Sequence, residues 1–148
     1  MTRQLSYGLV CALALVLAKA DGVVAQRLTV EVVGLRNAEG SIHVGFYDSA
    51  AQWKTERSNF QRHGAKTDVR DGRLTLTFDD VPAGHYGLAI VDDENDSGGI
   101  DWGLLLPKEG FGFSDYYHKG LFRPDFEDFD FELPAGEHVT VTVRVRYL

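Results

Sequence analysis

The fold class follows from the segment Val139-Thr140-Val141-Thr142-Val143-Arg144-Val145-Arg146-Tyr147, in which apolar and polar residues alternate strictly. Successive side chains of a β-strand point to opposite faces, whereas the pattern of a helix repeats every 3.6 residues. The segment therefore predicts a β-strand that buries its valines on one face and presents threonine and arginine to solvent on the other.

The same two-residue period occurs in three segments upstream, at 28–32, 42–46 and 74–78. Tyr86–Val91 is instead a continuous apolar run, which is typical of a strand that is buried on both faces. The turn-forming sequence Asn37-Ala38-Glu39-Gly40 separates the first two segments, so we expect these segments to form a hairpin.

Two local motifs complete the fold prediction. Ser49-Ala50-Ala51-Gln52 resembles a capping box and predicts a helix of two or three turns that continues through Arg57. The turn Pro82-Ala83-Gly84-His85-Tyr86 places a tyrosine as in the tyrosine corner of immunoglobulin-like sandwiches. We therefore expect an all-β, antiparallel sandwich of about seven strands with one short helix.

The N-terminal residues 1–25 have the pattern of a secretory signal peptide, with a cleavage motif ending at Ala20 or Ala25. The uncharged apolar stretch 5–18 is shorter than the roughly 20 residues that a membrane-spanning helix needs. We expect residues 26–148 to form one β-sandwich domain that is secreted or periplasmic.

The net charge of −7 excludes some classes of partner. Residues 92–132 contain twelve acidic and three basic residues, whereas a nucleic-acid-binding protein needs a basic surface. The only cysteine, Cys11, lies in the predicted signal peptide, so we expect no disulfide. We expect no nucleic-acid partner and no stable membrane insertion after the signal is removed, and a cell-envelope protein or a glycan is the partner class that fits.

An acidic loop directly after Tyr86–Val91 has the oxygen spacing of a calcium loop. Counted from the first ligand, side-chain oxygens fall at positions one, three, five and nine: Asp93, Asn95, Ser97 and Asp101. Position six is glycine, and Gly99 at position seven offers its backbone carbonyl, but position twelve is not acidic. The pattern predicts weak Ca²⁺ binding, near ~10⁻⁴–10⁻³ M, with further ligands from Asp92, Asp96 or the later Asp125 and Asp128. The alternative is a plain polar turn without a metal.

Residues 94–127 form a long, aromatic insertion that exceeds the usual length of a loop. Disordered segments are poor in aromatic residues, so we expect an ordered excursion packed over one end or edge of the sandwich, with a short strand at 104–106. Four of its rings, Trp102, Phe113, Tyr116 and Tyr117, are candidates for binding a carbohydrate or a peptide. The alternative is a satellite core that only covers the sheet.

No catalytic machinery is evident in the sequence. The carboxylates of 128–133 alternate with apolar residues, which predicts a strand with a solvated acidic face rather than the acid pair of a hydrolase. The five histidines lack the spacing of a zinc site, and we expect His43 and His138 to lie on solvated outer faces. We assign no catalytic residue and expect a non-enzymatic protein.

A string of motifs in this order resembles the small secreted bacterial family known as domain of unknown function 2141. The motifs are Gly34-Leu35-Arg36-Asn37, Phe46-Tyr47-Asp48-Ser49, Pro82-Ala83-Gly84-His85-Tyr86, Asp93-Glu94-Asn95, Pro107-Lys108-Glu109-Gly110-Phe111-Gly112-Phe113-Ser114 and Phe126-Glu127-Asp128. The resemblance implies export and a transthyretin-like or immunoglobulin-like sandwich, and it implies no activity. Relatives often have histidine where this chain has Asp92, and asparagine where it has Ser97. Together with the residues, the resemblance predicts an exported binding or structural domain.

Overall fold

The computed structural model describes residues 26–98 and 107–148, which form two β-sheets packed face to face. The elements are β1 (Arg27–Val33), β2 (Ser41–Tyr47), α1 (Ala50–Lys54), β3 (Phe60–Ala65), β4 (Arg73–Phe78), β5 (Gly84–Asp93), β6 (Gly110–Phe113), a 3-10 turn (Phe126–Asp128), β7 (Asp130–Leu133) and β8 (His138–Arg144). The mostly β, sandwich-like architecture with one short α-helix in the described ranges confirms the general fold prediction.

The two sheets have three and five strands. The first sheet has the order β4-β1-β8, and the second has the order β3-β2-β5-β6. The ten-residue strand β5 also pairs with β7, which joins the N-terminal part of β5 while β6 joins its C-terminal part. The described ranges contain eight strands, against about seven expected, and β3 and β6 correspond to none of the segments that were predicted as strands.

The core lies between the two sheets and is built by alternate residues of the strands, as the two-residue period predicts. Members that lose all or nearly all solvent exposure are Leu28, Val30 and Val32 of β1, Ile42, Val44 and Phe46 of β2, Leu88 and Ile90 of β5, and Val141 and Val143 of β8. Burying a side chain of this size stabilises a fold by about 1.5–3 kcal/mol. The prediction that the valines of the C-terminal segment face inward is therefore confirmed.

Two predictions about strand pairing are wrong. Strands β1 and β2 do not form a hairpin, because the seven-residue connection 34–40 carries the chain from one sheet to the other. Strand β8 runs parallel to β1, with Val30 beside Val141, so the sandwich is not wholly antiparallel. The alternation of residues fixes which face is buried, and it is the same for a parallel and an antiparallel neighbour.

The helix cap at Ser49 and the tyrosine corner are both present, but the helix is shorter than predicted. The Ser49 hydroxyl caps α1 by accepting a hydrogen bond from the Gln52 N–H, but the helix ends at Lys54 rather than Arg57. It ends early because the Thr55 hydroxyl donates back to the Ala51 carbonyl and Glu56 has a positive φ of 58°. The Tyr86 hydroxyl donates to the Pro82 carbonyl at 3.1 Å, which is the geometry of a tyrosine corner.

A second apolar cluster covers the outer face of the five-stranded sheet. Tyr47 and Ala89 alternate with the core residues Phe46 and Leu88, so they lie on the opposite face of their strands. The rings of Trp53, Phe113, Phe126 and Phe129 pack against that face. Within 107–127, Phe113 and Phe126 pack over the face of this sheet rather than over an end or edge of the sandwich as predicted, whereas Phe122 is exposed.

Within residues 26–98 and 107–148, neither α1 nor the 3-10 turn is long and apolar enough to cross a bilayer. The predicted signal peptide (1–25) and the predicted strand at 104–106 lie outside the described residues.

Candidate functional site

The C-terminal end of β5 brings together a buried ion pair and the predicted calcium loop. Asp92 continues the inward face of β5, and both its side chain and that of Lys66 have no solvent exposure. Lys66 Nζ donates to Asp92 Oδ1 at 2.6 Å and to Asn37 Oδ1 at 2.9 Å. The Tyr147 hydroxyl donates to the other carboxylate oxygen, Asp92 Oδ2, at 2.5 Å. The Lys66 ammonium neutralises the buried Asp92 carboxylate and the Tyr147 hydroxyl engages its other oxygen, so the suggested calcium ligation by Asp92 is not supported.

The burial of this network changes the titration of its tyrosine. Burial of the Tyr147 hydroxyl, followed by its contact with the Asp92 carboxylate, raises the pKa of Tyr147 well above its ordinary value. A neutral hydroxyl is needed to donate to Asp92, so the network is fully formed only while Tyr147 keeps its proton.

A second ion pair covers this network toward solvent. Arg36 makes two hydrogen bonds to the Glu94 carboxylate, and its guanidinium lies 4.3 Å from the centre of the Tyr147 ring. Asn37 also donates to Glu94, at 2.7 Å. The Arg36 guanidinium is the main cause that holds the pKa of Glu94 below its usual range. The connection between β1 and β2, the end of β5 and the C-terminal segment are thus joined by charge-assisted hydrogen bonds.

Asp93, the first residue of the predicted calcium loop, lies on the other face of β5. Its Oδ1 accepts a hydrogen bond from the Ser97 N–H at 2.9 Å, and its Oδ2 accepts one from the Gly98 N–H at 2.8 Å. The His43 ring lies 3.1 Å from Oδ2. Burial by itself would raise the pKa of Asp93, but these N–H groups and His43 outweigh it and lower the pKa. Asp93 is thus an ionised carboxylate around which the loop turns.

Backbone turns return the loop to Asp93. Asp96 and Gly98 have positive φ values of 52° and 91°, and the Ser41 hydroxyl donates to Asp96 Oδ1. The Asn95 side-chain oxygen lies 3.1 Å from the Ser97 nitrogen, which also donates to Asp93. The side-chain oxygens at positions one and three of the predicted calcium loop therefore converge on one N–H group.

The structure brings together only part of the predicted ligand set. Asp93, Asn95 and Ser97 lie in one turn, whereas Gly99 and Asp101 are outside the described residues. Within 26–98 and 107–148, no three His, Cys, Asp or Glu side chains are grouped so that they could hold a metal ion. Ca²⁺ binding stays a prediction that depends on the Asp93 carboxylate, the Asn95 and Ser97 side-chain oxygens, and Gly99 and Asp101 outside the described residues.

The four candidate ligand-binding rings have different environments. Phe113 is 6% exposed and packs against Trp53 and Phe129, so it belongs to the second apolar cluster. Tyr116 is half-buried beside that cluster, and Tyr117 is 44% exposed. Trp102 lies outside the described residues. Within the described part of the chain, binding of a carbohydrate or a peptide by these rings depends on Tyr117.

The acidic strand and the histidines have structural roles in the described residues. Asp128 accepts from the Asp125 N–H in the 3-10 turn, and Asp130 of β7 pairs with His85 at 2.7 Å. The alternation predicted for 128–133 is confirmed in β7, where the acids are exposed. His138 is exposed and bonds to Thr29, but His43 is 20% exposed and contacts Asp93, so it is not simply solvated.

Sequence reasoning missed the most buried part of this site. Lys66 lies in a polar connection and Tyr147 in the C-terminal strand pattern, and neither has a motif that indicates an ion-pair partner. The available signal was Asp92, a charged residue directly after a buried strand, which requires a partner if it is buried.

One family model matches this chain, over residues 30–142, and its description is "Uncharacterized protein conserved in bacteria (DUF2141)". No curated protein and no solved structure matches the chain.

Proposed function

We propose that this chain, which belongs to the DUF2141 family, is an exported, non-enzymatic binding or structural domain whose acidic loop takes up Ca²⁺. In this proposal the fold is an immunoglobulin-like or transthyretin-like sandwich, and the ion stabilises the loop that follows β5. The single observation that supports it most is the convergence of the Asp93 and Asn95 side-chain oxygens on the Ser97 N–H.

Three properties of the loop support the binding of a cation such as Ca²⁺. Its candidate ligands are all oxygens, which Ca²⁺ prefers. Asp93 is ionised and fixed at the end of a buried strand, so part of the site exists before the ion arrives. The surrounding region is acidic, with twelve acidic and three basic residues in 92–132, which raises the local concentration of cations.

The experiment is a thermal unfolding curve with and without 10 mM CaCl₂, and with MgCl₂ as the ionic-strength control. A site with a dissociation constant of ~1 mM would stabilise the fold by about 1.4 kcal/mol, or roughly 5 °C in Tm. The Asn95→Ala and Asp101→Ala variants are expected to lose this shift, because each removes a candidate ligand.

Asp68→Ala is the matched control, since Asp68 is an exposed carboxylate in the connection between β3 and β4. This variant is expected to keep the full calcium shift. An unchanged Tm for the unmodified chain at 10 mM CaCl₂ would overturn the proposal and leave Asp93 as the centre of a hydrogen-bonded turn.

A further inference from the structure

An exposed apolar pair lies at the tip of the connection between β6 and the 3-10 turn. Leu121 is 79% exposed and Phe122 is 88% exposed, and Tyr117 in the same connection is 44% exposed. We refer to residues 117–123 as the apolar tip. Large apolar side chains that project this far from a folded surface commonly mark a site of interaction.

The backbone of the apolar tip is held by two arginines. Arg146 donates to the carbonyl oxygens of His118 and Gly120, at 3.1 and 2.7 Å. Arg123 donates to the Trp53 carbonyl, and its guanidinium lies 3.9 Å from the centre of the Trp53 ring. The tip is therefore attached on both sides of Leu121 and Phe122, and the two apolar side chains are presented by a fixed backbone.

The apolar tip is basic, although the chain as a whole has a net charge of −7. The cations in or against it are Lys119, Arg123, Arg144, which lies over the Tyr117 ring, and Arg146. The carboxylates that contact or flank these groups are Glu56, which pairs with Arg123, Asp115, which accepts from the Thr142 N–H, and Asp125, two residues after the tip. Four cations against three carboxylates give a small local excess of positive charge beside the exposed apolar pair.

We propose that the apolar tip is a peripheral anchor that inserts Leu121 and Phe122 into the interface of an anionic phospholipid bilayer. Apolar side chains that enter the boundary between headgroups and acyl chains, with basic residues at headgroup level, bind such surfaces. In this proposal the apolar tip enters only the interface of the bilayer and does not cross it. It goes beyond the proposed calcium loop, from which it is independent.

The size of the apolar tip favours a lipid surface over a protein partner. Two apolar side chains offer roughly 300 Å², which is well below the ~800 Å² per partner of a stable protein interface. A bilayer interface does not require shape complementarity, so two apolar side chains on a fixed backbone with adjacent cations are sufficient for binding.

The experiment is co-sedimentation with vesicles of phosphatidylglycerol and phosphatidylcholine, compared with phosphatidylcholine alone. All variants are compared in the same N-terminal form. The unmodified protein is expected to sediment with the anionic vesicles and to dissociate as NaCl is raised from 50 to 500 mM. Phe122→Ser is expected to weaken the partition coefficient roughly tenfold to hundredfold, from the loss of one buried aromatic side chain.

Matched controls separate the tip from general effects. Leu148→Ser removes another exposed apolar residue, 43% exposed at the C-terminus, and is expected to bind like the unmodified protein. Lys119→Glu is expected to reduce binding to anionic vesicles, whereas Lys108→Glu makes the same charge change at another exposed lysine and is not. The Tm of Phe122→Ser is expected to be unchanged, which excludes unfolding as the cause.

A measurement at position 122 itself gives a result that does not depend on residues 1–25. Tryptophan fluorescence in vesicles with brominated acyl chains is expected to be quenched more in Phe122→Trp than in Leu148→Trp. Equal quenching of the two variants, or equal sedimentation of Phe122→Ser and the unmodified protein, overturns the proposal. A change from dimer to monomer on Phe122→Ser, without vesicle binding by the unmodified protein, also overturns it and assigns the tip to a second copy of the chain.

Discussion

Replacing Lys66 with methionine is expected to destabilise the fold strongly, because it removes the cation that contacts a buried carboxylate. Lys66 and Asp92 have no exposed side-chain surface and their charged atoms are 2.6 Å apart, so solvent does not screen the pair. Methionine is one heavy atom shorter than lysine but keeps most of the volume of its side chain, so the loss is mainly one of charge and hydrogen bonds.

The expected loss of unfolding free energy follows from the contacts that Asp92 keeps in the variant. Breaking a buried ion pair by removing one partner costs about 3–5 kcal/mol. The Tyr147 hydroxyl still donates to Asp92 Oδ2 after the substitution, which places the expected loss at the lower end, about 3 kcal/mol. Since a domain of this kind is stable by only 5–15 kcal/mol, the effect is large.

The assay is urea unfolding followed by circular dichroism, with an expected midpoint shift of about 1.5 M for a slope of ~2 kcal/mol/M. The double variant Lys66→Met/Asp92→Asn removes both charges, and the amide oxygen that replaces the carboxylate can still accept from Tyr147. We expect it to recover about 2 kcal/mol relative to the sum of the single variants. Lys108→Met, at an exposed lysine, is the control and is expected to change stability by less than ~0.5 kcal/mol.

The reasoning is refuted if Lys66→Met costs less than ~1 kcal/mol, which would mean that the Asp92 carboxylate does not depend on a cation. It is equally refuted if the costs of the two single variants simply add in the double variant, since residues in one buried network are expected to couple.

Two further predictions concern the cluster on the outer sheet face and the tyrosine of the network. Phe129→Ala is expected to cost about 3–5 kcal/mol in urea unfolding, because Phe129 is 1% exposed and packs against Trp53 and Phe113; a loss below ~1 kcal/mol would contradict this packing. Because the pKa of Tyr147 is raised in the folded state, its contribution to stability is complete below about pH 10, the pKa of an unfolded tyrosine, and is lost at higher pH as the unfolded chain gives up its proton first. Unfolding free energies from pH 9 to 12 are therefore expected to fall less steeply in Tyr147→Phe than in the unmodified protein, and parallel curves would count against the raised pKa.

The strand predictions depended on periodicity and were accurate where one face of a strand is buried. In 139–147 the inward valines follow from alternation alone, because burial repeats every two residues along a strand. The helix was placed correctly by its Ser49 cap, but its length was not, because the turn at Thr55 and Glu56 depends on backbone conformations that no motif indicates.

The candidate site was less accessible to sequence reasoning. The spacing of Asp93, Asn95 and Ser97 predicted a calcium loop or a plain polar turn, and the structure shows that these residues form a turn around the Asp93 carboxylate. Lys66 lies 26 positions from Asp92 and Tyr147 lies 55 positions from it, and nothing in the local sequence of either residue specifies the contact.

The sequence by itself determined that the chain buries alternate residues of β-strands and that an acidic turn follows the apolar strand at 86–91, because burial period and turn chemistry are local properties. Only the tertiary structure decided that β1 and β2 belong to different sheets, that β8 lies parallel to β1, and that Lys66 neutralises Asp92. These outcomes depend on which distant segments share the available space and on the electrostatic requirement that a buried charge has a partner.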